Sequence, residues 1–107
     1  MRPEASELIL YVDNEEWLYR RKIAIFHALA KKKERGIYSS LLAPKAFAAL
    51  LDTAAKQYTR EFGSITDRWN QLFSTTHRRE AAEHFAHEFK DWYEVDYPTT
   101  RHGSGKR

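Results

Sequence analysis

Cysteine is absent from this chain. No disulfide can staple the fold, and no thiolate is on hand as nucleophile or metal ligand. Small secreted domains usually rely on such staples, so a reducing compartment, the cytoplasm, is the expected location. Long apolar runs are absent too. The longest near a helix centre, residues 23–30, is interrupted by His27 and is far shorter than the ~20 residues that span a bilayer, so no membrane association is expected. Met1 to Glu7 carries Arg2, Glu4 and Glu7 and no apolar stretch, unlike a signal peptide. A dominant charge sign is also missing: 18 basic residues face 15 acidic ones, a balance that permits nucleic-acid or acidic partners and demands neither. Internal repeats and low-complexity core segments are not found.

Ring surface is what the chain has in quantity, with three Trp, six Tyr and six Phe. That much argues against a disordered chain, and 107 residues suit one core. Four apolar-periodic stretches are separated by punctuation. Asp13 and Glu16 form a capping box with Asp in the serine position, with Val12 and Trp17 at the staple positions. The first long helix is therefore predicted over residues 14–35. Leu18, Ile25 and Leu29 make its stripe, flanked by Trp17, Phe26 and Ala28. Arg21 and Lys22 fall toward its apolar side, where they snorkel or pair. Lys31, Lys32, Lys33 and Arg35 suit the negative end of its dipole, and Gly36 is the left-handed stop. Upstream, ELILYV (residues 7–12) fits both an extended segment and a single helical turn.

Ser39 or Ser40 caps the second helix, with Pro44 in its first turn. Its stripe is Phe47, Leu50, Leu51, Ala54, Tyr58 and Phe62, and Gly63 ends it. Ser64 with Asp67 opens a short helix carrying Trp69, Leu72 and Phe73. The last helix, residues 76–93, buries Ala82, Phe85, Phe89 and Trp92, and Pro98 ends any helix. The expectation is an all-α protein: a small antiparallel bundle of three long helices plus one short helix, with a short extended N-terminal segment as one option. Residues 1–97 form the single helical domain and residues 98–107 a disordered basic tail. Trp17, Phe26, Phe47, Phe85 and Phe89 are expected in the core.

Several stretches carry a resemblance. They are LYVDN (residues 10–14) with Leu18 and Tyr19, KKKERGIYS (residues 31–39), LLDTAAKQYTREFGS (residues 50–64), Trp69 and Phe73, and RREAAEHFAHEF (residues 78–89). Together they resemble a group of small uncharacterised helical proteins of bacterial plasmids, phages and integrated mobile elements. A proline that the group has near the position of Ser74 is missing here. The resemblance implies a mobile-element setting and a helical fold, and it transfers no catalytic residue.

Candidate chemistry is sparse. Glu80, His84, His87 and Asp91 share one helix face, but they span about three turns and cannot all converge on one ion. A solvated polar face explains them better, and no metal or cofactor is expected. Lys31, Lys32, Lys33 and Arg35 are candidate phosphate contacts, with Tyr38 and Tyr19 able to stack on bases; a cationic helix end explains the same residues. A helix-turn-helix over residues 65–93 would turn Glu80, Glu83, Glu88 and Asp91 toward phosphates, with only Arg78 and Arg79 suitable. The terminal GSGK lacks the first glycine, the Ser or Thr and the following helix of a phosphate loop. No nucleophile elbow or triad signature points to an enzyme. Fifteen rings exceed what three stripes need, so Tyr38, Trp69, Trp92 and Tyr93 are candidate interface anchors. The leading expectation is a non-enzymatic binding or adaptor module acting on a protein partner, with a homodimer one form of this. The alternative is a nucleic-acid-binding accessory protein using the basic helix end.

Overall fold

The computed structural model describes residues 1–62 and 74–103, with side chains described through residue 97. Among the described residues, four α-helices and one 310 helix pack as a small all-α bundle: α1 (Pro3–Asn14), α2 (Glu16–Glu34), the 310 helix (Ala43–Phe47), α3 (Ala48–Glu61) and α4 (Thr75–Gly103). The short helix expected near Trp69 lies outside the described residues.

The N-terminal segment is helical, not extended. Pro3 occupies the first turn, where its missing N–H costs nothing, and Glu4 complements the dipole. Ala5, Leu8, Ile9 and Val12 follow a spacing of three, one and three, and all four are buried. Six residues hold less than two helical turns, so residues 7–12 by themselves fit either conformation.

Asp13 does not cap α2. It belongs to α1, and the break falls at Glu15, an extended residue with no side-chain capping bond. Moving the break changes what α2 buries. Leu18, Lys22, Phe26, Leu29 and Ala30 face inward, and Trp17, expected in the core, is 43% exposed. Trp17 is one residue, or 100°, off the stripe that starts at Leu18. At the other end, Gly36 has φ of 76°, and the Gly36 and Ile37 amides donate back to Lys33 and Lys32 at 3.1 and 3.0 Å. This is a Schellman stop.

Pro44 enters a 310 turn rather than an α-helix, and the α-helical bonding begins after Phe47. The Ser39 carbonyl accepts from the amides of Leu42 and Ala43 at 3.1 and 2.9 Å, so Ser39 sets up that turn. The α3 stripe stops short of Phe62, which flanks the helix end and is 45% exposed, its ring 4.6 Å from Tyr58. Helix α4 continues through Pro98 to Gly103, correcting the expected stop at the proline. One missing N–H removes a single bond, and a long helix tolerates that loss.

Phe26, Phe47, Phe85 and Phe89 are fully buried, as expected. Phe26 meets Phe47 and Phe89 edge-on at 5.8 and 5.7 Å, and Phe47 lies 5.6 Å from Phe85. These rings join α2, α4 and the 310 helix. Across the molecule, Tyr11 and Tyr58 pack edge-on at 5.0 Å and tie α1 to α3. Their hydroxyls donate to Glu61 and Glu7 at 2.8 and 3.2 Å. Burial, then the neighbouring carboxylates, pushes both phenols above their usual range.

Candidate docking grooves

The segment between α2 and the 310 helix is unusual for a loop. Ile37, Leu41 and Leu42 are 61, 85 and 57% exposed. Gly36 turns the chain off α2, and the Ser39 turn and Pro44 follow at its far end, so the segment carrying the apolar side chains is hydrogen-bonded at both ends. Beside Leu41 runs a groove of about 370 Å³ between the 310 helix, the start of α3 and the first half of α4. Leu41, Pro44, Ala48 and Ala82 make it apolar, and Lys45, Arg78 and Arg79 edge it with cations against one acid, Glu83. The small side chains Ala48 and Ala82 leave the space. Arg78 is 4.0 Å from Asp52, which also holds Lys56 at 3.1 Å. Among the described residues Lys45 and Arg79 have no ion-pair partner. A second depression, about 390 Å³, lies on the other side of Leu41 and Pro44 and includes Tyr38, Ala86, His87 and Lys90. Such a surface can take apolar side chains and carboxylates together.

The basic run at the end of α2 is exposed throughout. Its members are not equivalent. The Lys33 ammonium lies 4.7 Å from the Tyr38 ring centre and 5.3 Å from that of Tyr93. Glu34, within the run, accepts from the Tyr97 hydroxyl at 3.0 Å. Two interface candidates are therefore brought to one phosphate-contact candidate. Both are half-buried: Tyr38 packs 5.6 Å from Phe89, and Tyr93 stacks on Tyr97 at 5.2 Å. Burial also raises the Tyr38 phenol. Trp92 joins the same ring cluster through Phe89 at 6.1 Å and Tyr97 at 5.4 Å, and is half-buried against Phe26 at 5.2 Å and edge-on to His27 at 5.0 Å. Trp69 lies outside the described residues.

On the polar face of α4, Glu80 is tied to Arg2, and Asp91 has no ion-pair partner among the described residues. Glu80 pairs with the Arg2 guanidinium at 2.6 Å and accepts from its amide at 3.2 Å. That amide, with the Arg2 charge, holds the Glu80 carboxyl below its usual range. Among the described residues no three His, Cys, Asp or Glu side chains are grouped to hold a metal ion, and no helix is long and apolar enough to cross a membrane. Sequence reasoning passed over Leu41, Lys45 and the groove role of Arg79. A usable signal was there: Leu41-Leu42 precedes Pro44 in a stretch with no helical period, which leaves the two leucines no stripe to join. Comparison of the chain with family models, with curated proteins and with solved structures found no match.

Proposed function

We propose that this chain is a non-enzymatic binding module that docks an acidic, leucine-bearing segment of a protein partner along the Leu41 groove. The exposure of Leu41, at 85%, carries the reading. An apolar side chain left in water forgoes about 1.5–3 kcal/mol that burial would recover. Lys45, Arg78 and Arg79 beside it supply the charge that selects an acidic segment. The resemblance to mobile-element proteins suggests a partner from the element or its host.

The test titrates a synthetic peptide, two leucines three residues apart among aspartates and glutamates, into the full chain and two variants. Leu41→Asp and Arg79→Glu change exposed side chains and leave the core intact. Each is expected to weaken binding at least tenfold at unchanged helical circular dichroism, about 1.4 kcal/mol or more. Equal affinity for the original chain and both variants overturns the reading.

The nucleic-acid alternative draws on the exposure of Lys31, Lys32, Lys33 and Arg35 at one helix end. Duplex DNA titrated at two salt concentrations discriminates. Tight binding with a steep salt dependence, reduced by substituting Lys31 and Lys32, favours it over the protein partner.

A further inference from the structure

A second groove, of opposite character, lies between α2 and the later turns of α4 and on a different face of that helix. It has a volume of about 360 Å³. Tyr19, Phe26 and Trp92 supply aromatic rings, and Glu88, Asp91 and Asp96 supply carboxylates. Tyr19 is 42% exposed, Trp92 is half-buried, and Phe26 forms a closed floor. Rings with carboxylates among them attract cations through the ring quadrupole as well as charge.

The interior side of the same wall already holds one. The Lys22 ammonium, 1% exposed, sits 4.9 Å from the Tyr19 ring centre and 5.5 Å from that of Phe26. Its counterions are Asp13 at 2.7 Å and Glu88 at 3.0 Å. Lys22 thus meets two carboxylates, and Asp91 and Asp96 are left over. Among the described residues neither has an ion-pair or side-chain hydrogen-bond partner. The groove therefore keeps a negative excess beside accessible rings.

From this arrangement we infer that the groove takes an arginine side chain of a basic protein segment. A guanidinium is flat, so it stacks on Tyr19 or Trp92 while its edge donates to Asp91 or Asp96. It is less strongly hydrated than an ammonium, which lowers the cost of leaving water. The site shares no lining residue with the Leu41 groove and does not depend on it.

The experiment uses the full chain and two short peptides that differ only in one residue, arginine or its neutral isostere citrulline. Binding is followed by NMR at the indole N–H of Trp92. The arginine peptide is expected to shift that resonance saturably, and the citrulline peptide to leave it unmoved. The Asp91→Asn/Asp96→Asn variant, altered only at exposed positions, is expected to bind at least about fivefold more weakly, the scale of two exposed ion pairs. Tyr19→Leu, a second exposed change, is expected to weaken binding while Lys56→Gln, at an exposed position on α3 that lines neither groove, leaves it unchanged. Equal shifts from both peptides, or an unaltered affinity in the asparagine variant, overturn the inference.

Discussion

Lys22 and Lys33 stand about three turns apart on nearly the same face of α2, yet they do different work. The first is 1% exposed and held by Asp13 and Glu88, from α1 and α4, and it also lies 5.1 Å from the Phe85 ring centre. The second is exposed and rests on the rings of Tyr38 and Tyr93. The cation is the same; what differs is whether neighbouring helices bring carboxylates to it. A charged side chain is buried where the charge of its surroundings repays the loss of water, and otherwise stays at the rim. A basic run is therefore a poor guide to function until the acids around it are placed.

The sharpest way to break this contrast is to strip Lys22 of its counterions. Asp13→Ala with Glu88→Ala leaves a buried ammonium uncompensated, and urea unfolding is expected to show a loss of about 3–5 kcal/mol. Adding Lys22→Met to that pair should recover most of the loss, because the charge goes and the apolar volume stays. If the triple variant is no more stable than the double, the carboxylates act through something other than Lys22. Lys33→Met tests the other pole. Only contacts with two rings are lost, so the cost is expected within about 1 kcal/mol, and a larger loss would make Lys33 a second structural anchor. Smallest of all is the exposed pair of Arg20 with Glu16, one turn apart on α2. Arg20→Ala is expected to cost about 0.3–0.5 kcal/mol, and the difference should shrink in 1 M salt while the Lys22 effect persists.

Much of what was legible in the residues is local. Gly36 as the end of α2 follows from the left-handed conformation that glycine adopts at low cost. Phe26, Phe47, Phe85 and Phe89 as core follow from helical spacing. Even the pairing of Lys22 was one of two options that its position on the apolar side allowed. Asp13 shows the limit. Its spacing from Glu16 satisfies a capping box, but α1 does not end there, and the carboxylate is used by Lys22 instead. Two valid uses competed for one side chain, and only the approach of a second helix chose between them.

By itself the sequence determined the all-helical class, the stop at Gly36, the phenylalanine core and the cationic end of α2. Each depends on conformational preferences or side-chain spacing within a few turns of one helix. Tertiary structure alone decided where the inward face of α2 ends, and so that Trp17, at its edge, is exposed. It also decided that Lys22 meets Glu88, 66 residues away, and that an apolar loop lies beside Arg78 and Arg79. Those outcomes depend on how helices distant in the chain pack together, and each charge is paid for by neighbours that no local window contains.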